Sequence, residues 1–389
     1  MKKHALLNTC ALIICFVCLA LFVSGCNDDA ASTPKDDLAE GTRTPTDEPT
    51  VPSEKPTEEI TEATQDPTDS PEDPTEEPKY EPNYPKWIHE EIPEIDASKY
   101  ATDTSVIGKS TTVQSFEYKD NGNGTYSILP KGDFDAETLI IPSSYNGKPT
   151  VLDDYVVFSR NYKNVSKLIV SEGITHIGAQ SFWSLKTLEH IILPTTLKSI
   201  GEGAFAYCDS IVRVKIPEGV EKIDSTAFYD CNSLKGVWLP STLREIGSSA
   251  FYSCNLLTDI IIPDGVTIMG GSLFSFCENL KTIYLPPSIT EKTGAWFGDC
   301  TVLTRVRIPN GTTTLHKSEF FNCQYLAEIS IPTTVTTIEE ECFAYCVGLK
   351  NIYFLGTVEQ WNNIEKIDGW NEGTKSPITV TCSDGTVEY

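Results

Sequence analysis

Apolar and variable positions recur in a fixed pattern every 23 residues over the C-terminal half of this chain. The segment 231–253 is a typical unit, and its apolar residues are Cys231, Leu234, Val237, Leu239, Leu243, Ile246, Ala250 and Phe251. A fixed period of this length indicates a repeat architecture in which each unit is one supersecondary element.

Three columns of different residue types share this period. Cysteines occur at positions 208, 231, 254, 277, 300, 323 and 346, and prolines at 194, 217, 240, 263, 286, 309 and 332. Phenylalanines form the third column, with Phe182, Phe205, Phe228, Phe251, Phe274, Phe297, Phe320 and Phe343. An aromatic residue in every unit predicts a column of stacked rings inside one shared core.

Each unit predicts a short strand followed by a compact return. Val237 and Leu239 alternate with variable residues, which is the period of a strand with one buried face. Pro240 follows at once, and proline ends a strand because it has no N–H to donate. Beyond the proline the apolar residues are three apart, as at Leu243 and Ile246, which favours a helical or turn-like return over a second long strand.

A unit of 23 residues cannot cover its own apolar face, whereas stacked units bury that face against their neighbours. The predicted fold class is therefore an α/β-type solenoid, with short parallel strands on one face and helical or turn-like returns on the other. Strand-like segments at 139–141, 168–170, 191–193 and then every 23 residues to 352–354 give about ten turns.

The unit reads Cys-x-x-Leu-x-x-Ile-x-Ile-Pro-x-x-Val-x-x-Ile-Gly-x-x-Ala-Phe-x-x, and it resembles the leucine-rich repeats of the BspA-like family, the 23-residue bacterial class. The likeness extends from residue 116 to residue 389, and it implies an N-terminal cap hairpin at 116–139, repeats at 140–355 and a C-terminal cap at 356–389. Two residues depart from the columns: Leu185 replaces a cysteine, and Lys292 stands where an apolar residue is expected.

The first 25 residues predict a lipoprotein signal peptide. Lys2 and Lys3 precede an apolar run from Ala5 to Val23, and the run closes in Ser-Gly-Cys. This ending resembles a bacterial lipobox, which implies that Cys26 carries lipid and becomes the first residue of the mature chain. A plain signal peptide and an uncleaved membrane helix are the alternatives.

Residues 26–86 predict a disordered, acidic stalk that is rich in proline and threonine. Residues 27–86 contain eleven prolines, ten threonines, 18 acidic and five basic residues. Such a segment cannot bury enough apolar surface to offset the entropy lost on ordering. Proline and like-charge repulsion keep it extended. Residues 87–115 connect the stalk to the repeats.

The charge balance excludes nucleic acid as a first choice of partner. The formal net charge is −25, and binding to phosphates needs a basic surface. The residue spacings also favour neither a metal, a cofactor nor a catalytic centre, because metal sites use short pairs of cysteine or histidine and no nucleophile or metalloprotease motif occurs. We therefore expect no enzymatic activity.

The cysteine column predicts small buried side chains. The column has seven members, an odd number, and every member occupies the same position in its unit. We expect free thiols rather than disulfides. Disulfides between neighbouring units remain the alternative, because exported proteins often contain them.

The outward positions of the strands are candidate binding residues. They include Arg213, Lys215, Trp238, Ile261, Tyr284, Arg305, Arg307 and Tyr353. Tryptophan, tyrosine and arginine are enriched at binding hot spots, and a row of large apolar groups facing water marks a contact surface. The alternative is that β-branched and aromatic residues suit a strand whichever way they face.

These features predict an exported, lipid-anchored protein of the cell envelope that is exposed at the surface. The resemblance to the BspA-like family implies adhesion, here to extracellular host or bacterial proteins through the exposed strand face. The alternative partner is a glycan, because Trp238 and Tyr284 are two units apart and offer flat apolar platforms.

Overall fold

The computed structural model describes residues 116–133, 135–375 and 377–389. The predicted signal peptide, the lipid attachment site at Cys26, the stalk and the connector lie outside these residues. The described part of the chain contains no helix with the length and apolar character that a bilayer crossing requires. It forms a β-solenoid of about ten turns, which confirms the predicted repeat architecture.

We call the longer strand of each turn the front strand. Neighbouring front strands that are hydrogen-bonded to each other run parallel. The front strands are β3 (Thr138–Ile141), β6 (Lys167–Val170), β8 (His190–Ile192), β10 (Arg213–Lys215), β12 (Gly236–Trp238), β14 (Asp259–Ile261), β16 (Thr282–Tyr284), β18 (Arg305–Arg307), β20 (Glu328–Ile331) and β22 (Asn351–Phe354). Their ladders form four groups, namely β3-β6-β8, β10-β12, β14-β16 and β18-β20-β22.

A second strand of two residues follows each front strand from β6 to β22, and we call it the side strand. The side strands are β7 (His176–Ile177), β9 (Ser199–Ile200), β11 (Lys222–Ile223), β13 (Glu245–Ile246), β15 (Ile268–Met269), β17 (Glu291–Lys292), β19 (Thr314–Leu315), β21 (Thr337–Ile338) and β23 (Glu365–Lys366). They form one sheet from β7 to β17 and another from β19 to β23. A two-residue strand is too short to show an alternating pattern, so the sequence did not predict it.

The α/β part of the predicted fold class is wrong, because, of the two predicted forms of return, helical and turn-like, the structure has the turn-like one. The one helix of the described residues, α1 (Val358–Asn362), follows the last front strand and lies outside the returns. A return instead has two residues with left-handed backbone, such as Thr226 and Asp230 with φ of 55° and 57°, or Ser249 and Ser253 with φ of 56° and 58°. A left-handed residue interrupts a right-handed helix, so each return is a series of turns.

Ser249→Gly is expected to raise the free energy of unfolding by about 1 kcal/mol, because the left-handed conformation costs a residue with a Cβ about 1–2 kcal/mol and glycine partly offsets this through chain entropy. Gly203 already occupies the equivalent position two turns earlier, with φ of 60°. Urea denaturation followed by circular dichroism measures the change.

The matched control for this substitution is Thr242→Gly. The Thr242 hydroxyl accepts a hydrogen bond from the N–H of Gly219 at 2.9 Å and donates one to the carbonyl of Val220 at 2.8 Å. Its removal should therefore lower the stability. A loss of stability in Ser249→Gly as well would contradict the conformational explanation.

The phenylalanine column forms the centre of the core. All eight rings are buried, and the ring centroids of neighbours are 5.3–6.0 Å apart. Phe158 extends the stack before Phe182 at 5.5 Å, and Trp370 packs edge-on against Phe343 at 5.9 Å. Side chains 23 residues apart are therefore spatial neighbours along this column.

The N-terminal end of the solenoid is covered by a small sheet. Its strands are β1 (Phe116–Asp120), β2 (Tyr126–Pro130), β4 (Ser144–Tyr145) and β5 (Lys148–Val151). β1 and β2 form an antiparallel hairpin, and β5 joins β2 in parallel. The Phe116 ring lies 6.3 Å from Phe158, so the sheet shields the exposed end of the aromatic stack.

The C-terminal end is covered by α1 and by two further strands, β24 (Thr379–Cys382) and β25 (Gly385–Glu388). β24 continues the parallel ladder of β22, and β25 turns back against it. The indole N–H of Trp361 donates to the hydroxyl of Tyr389 at 3.0 Å, and the Tyr389 ring lies 5.3 Å from Trp370. These contacts close the last turn.

Candidate functional site

The front strands other than β6, β8 and β12 alternate between buried and outward side chains. In β10, Val214 is buried while Arg213 and Lys215 are exposed, and β18 repeats this arrangement. The second of these two outward positions gives one side chain per turn from β10 to β22, and we call this series the front row. Its members are Lys215, Trp238, Ile261, Tyr284, Arg307, Ser330 and Tyr353. Paired residues lie on adjacent strands, as Ile261 does with Tyr284.

The middle of the front row is apolar and its two sides are basic. Trp238, Ile261 and Tyr284 occupy three consecutive turns and are partly exposed, while Lys215 before them and Arg307 after them are exposed. Adjacent strands lie about 4.8 Å apart, so the three apolar side chains are neighbours. A partly exposed aromatic centre with a charged rim has the composition of a protein-binding surface.

Hydrogen bonds hold parts of this surface in place. The Tyr284 hydroxyl donates to the carboxylate of Asp264 at 3.1 Å, and the hydroxyl of Thr282 donates to the Asp259 carboxylate. A side chain that is already fixed loses less conformational entropy when a partner binds.

The remaining predicted residues are less central. Arg305 forms an ion pair with Glu328, with 2.8 Å between Nε and the carboxylate oxygen, so its charge is locally balanced. Arg213 lies at the start of β10, and its partner on the adjacent strand β12 is the buried Gly236. Tyr353 is 40% exposed, but Ser330 separates it from Arg307 in the front row.

A second aromatic series lies on the returns, and the sequence analysis missed it. The return ladder consists of Trp183, Tyr207, Tyr229, Tyr252 and Phe276, with ring centroids of neighbours 4.8–5.6 Å apart. Trp183, Tyr229 and Tyr252 follow the phenylalanine column by one residue, whereas Tyr207 and Phe276 follow it by two, so no single column contains the whole series. The only sign of this series in the sequence was that its members lie directly beside the phenylalanine column.

The repeat cysteines are buried and free. Each thiol donates to a phenylalanine carbonyl of the preceding turn, as Cys231 does to Phe205 and Cys254 to Phe228, both at 3.2 Å. Burial raises the pKa of Cys277 and of Cys346 to about 12. These thiols are therefore protonated near neutral pH and are poor nucleophiles.

A buried ion pair interrupts the apolar core between β17 and β19. The ammonium of Lys292 contacts the carboxylate of Glu319, and their side chains are 8% and 0% exposed. The carboxylate also accepts the backbone N–H of Trp296 at 3.0 Å and that of His316 at 3.4 Å. The Lys292 ammonium lies 4.8 Å from the centroid of the Trp296 ring.

The side-strand ladder is broken at the same place. The N–H of Thr290 donates to the carbonyl of Thr267 at 3.0 Å, and the N–H of Thr336 donates to the carbonyl of Thr313 at 2.9 Å. Among the described residues, the corresponding bond from the N–H of Thr313 to the carbonyl of Thr290 is absent. The N–H of His316 reaches Glu319 instead of a carbonyl in the preceding turn.

A polar cleft of about 170 Å³ opens at this break. It is lined by Ile289, Thr290, Lys292, Gly311, Thr312, Thr313, Thr314 and His316. Burial and the nearby Lys292 ammonium lower the pKa of His316, so its imidazole is neutral at pH 7. Lys292 was visible in the sequence as a departure from its column, whereas Glu319 was not singled out.

Within the described part of the chain, no three His, Cys, Asp or Glu side chains form a group that could hold a metal ion. The geometry instead defines the class of the protein, which is a leucine-rich repeat solenoid built from 23-residue turns. The family model of the BspA type leucine rich repeat region matches residues 155–260 and 245–364 in six copies. These ranges span more than half of the chain, which therefore belongs to the BspA-type leucine-rich repeat family, as the sequence pattern predicts.

Several solved structures are similar to this chain. A leucine rich cell surface protein from Faecalibacterium prausnitzii is 23% identical over 65% of this chain and 97% of its own, with a TM-score of 0.28. A leucine rich repeat protein from T. pallidum is 23% identical over 62% of this chain and 91% of its own, with a TM-score of 0.37. A leucine-rich repeat protein from Bacteroides ovatus is 18% identical over 70% and 99%, with a TM-score of 0.34. No curated protein matches the chain.

Proposed function

We propose that this chain is an envelope-anchored binding protein that holds extracellular host or bacterial proteins on its front row. The observation that carries the proposal is the apolar centre formed by Trp238, Ile261 and Tyr284 between the exposed cations Lys215 and Arg307. Membership of the BspA-type family supports a role in adhesion, and the repeat fold offers a surface that extends over many turns.

The same proposal assigns lipid attachment to Cys26 and a spacer role to residues 26–86. Two acyl chains anchor a protein stably, whereas one chain gives only reversible binding. An extended acidic segment would then hold the repeats away from the membrane surface and let them reach a partner.

Trp238→Ala together with Tyr284→Ala is expected to lower the affinity for the partner about 100-fold or more, because a hot-spot truncation costs about 2 kcal/mol or more and about 1.4 kcal/mol is a factor of ten. The measurement is binding of the purified chain to extracellular-matrix proteins and to whole bacterial cells, with circular dichroism to verify the fold.

The matched control is Tyr229→Ala together with Tyr252→Ala, which removes two aromatic rings from the return ladder. This variant should bind as the unchanged protein does. Equal affinity of the unchanged chain and the front-row variant would refute the assignment of the front row. Binding to a glycan array that depends on Trp238 and Tyr284, without binding to any protein, would replace the protein partner by a glycan.

A further inference from the structure

We propose that the polar cleft beside Lys292 is a second binding site, which takes one sugar ring of an uncharged glycan. The cleft lies between side strands, so its side chains are separate from the front row. The inference does not depend on the function proposed above, and the two can be tested apart.

Lys292, which lines the cleft, and the two buried residues that it contacts depart together from the repeat that the rest of the chain defines. Lys292 occupies the column of Ile246, Met269 and Leu315, while Trp296 and Glu319 occupy the column of Ala204, Ala227 and Ala250. These departures fall in two successive turns, and their side chains contact one another.

A packed turn of this solenoid does not need an ion pair at these positions, because the chain uses apolar residues there in other turns. Replacing a buried ion pair by apolar residues of similar volume is often neutral or stabilising. The cost of burying Lys292 and Glu319 therefore points to a role other than packing.

Hydrogen-bonding groups of both kinds meet at the cleft. The N–H of Thr313 and the carbonyl of Thr290 would pair with each other in an unbroken ladder, and in the described structure they do not. Four threonines line the cleft around them. A hydroxyl both donates and accepts, so a sugar is matched to a wall that presents donors and acceptors together.

The charges at the cleft favour an uncharged ligand. The ammonium of Lys292 is balanced by the carboxylate of Glu319, and the imidazole of His316 is neutral at pH 7. Neither an anion nor a cation therefore finds an uncompensated opposite charge among the lining side chains.

The size of the cleft limits the ligand to one ring. Its volume of about 170 Å³ is smaller than the about 300–1,000 Å³ of pockets for drug-sized ligands. A single unit of a longer glycan fits this limit if the rest of the chain stays in solvent.

The test is saturation-transfer NMR on the full chain with glucose, galactose, mannose and N-acetylglucosamine, and in parallel with inorganic phosphate. We expect at least one sugar to bind and phosphate not to compete. The double variant Lys292→Met with Glu319→Ala, which installs residue types of the other turns, should weaken that binding tenfold or more. Thr314→Val should weaken it severalfold, because it removes a hydroxyl and keeps the side-chain shape.

Two variants serve as controls. Lys222→Met removes a side-strand lysine elsewhere in the solenoid and should leave sugar binding unchanged, as should the front-row variant of Trp238 and Tyr284. Failure of all four sugars to bind, competition by phosphate, or equal sugar binding by the double variant would each overturn the proposal. If circular dichroism shows that the double variant is unfolded, unchanged binding by Thr314→Val overturns it instead.

Discussion

Glu319→Ala is expected to lower the free energy of unfolding by about 3–5 kcal/mol, because it leaves the ammonium of Lys292 buried without a carboxylate. Two backbone N–H groups, those of Trp296 and His316, lose their acceptor at the same time. A loss of this size is a large fraction of the about 5–15 kcal/mol by which folded domains are stable. It would lower the urea concentration at the midpoint of unfolding, which circular dichroism at pH 7 would measure.

Adding Lys292→Met to this variant should restore part of the loss. The double variant removes the unpaired charge, and methionine and alanine already occupy the equivalent columns at Met269 and Ala250. It should remain less stable than the unchanged protein, because the Trp296 N–H still lacks its acceptor and an unsatisfied buried donor costs about 1–3 kcal/mol. If instead the two substitutions destabilise additively, the two side chains are not energetically coupled.

Phe251→Ala is expected to cost about 3–5 kcal/mol of stability, as truncations of large buried aromatic residues do. Its ring is fully buried and lies 5.6 Å from Phe228 and 5.9 Å from Phe274, so the cavity would open in the middle of the stack. Urea denaturation of the full chain measures the loss.

The neighbouring substitution Tyr252→Ala is the matched control for Phe251→Ala. Tyr252 is partly exposed and stacks on Tyr229 at 4.8 Å in the return ladder, so its removal leaves a surface notch rather than a cavity. We expect less than half of the loss seen for Phe251→Ala. An equal loss in both variants would show that burial in the column is not what makes the phenylalanine costly to remove.

The sequence predicted the features that repeat with a single residue type in a single column. The columns that contain Phe251, Cys254 and Pro263 each repeat at a fixed interval. The stacked rings, the length of a turn and the ends of the front strands could therefore be predicted by counting residues along the chain. In β10 and β18 the faces of the strand alternate as the pattern predicts, and Lys215 and Arg307 are exposed there.

The sequence could not predict the returns. A three-residue apolar spacing fits a helical turn and a series of tight turns equally well, and the left-handed residues that decide between them have no common type, since Thr226, Ser249 and Ser272 share one column. Side strands of two residues have no period to detect. The members of the return ladder are divided irregularly between two columns, so the sequence did not reveal the ladder.

The polar cleft was predictable only in part. Lys292 stands out from its column, but its partner Glu319 lies 27 residues later and in a different column. Their contact requires both the turn length and the direction of each side chain. A lone lysine in an apolar column predicts either a local distortion or a partner, and the sequence does not decide between them.

The broken ladder between Thr290 and Thr313 gives the solenoid a mechanical weak point. Hydrogen bonds between turns run along the stack, and tension between its two ends is carried by them. Because this junction lacks bonds that its neighbours have, a stretched molecule should part there first, into an N-terminal block and a C-terminal block. Each block would keep one of the two caps, so the solenoid could lengthen under force and close again without unravelling from either end.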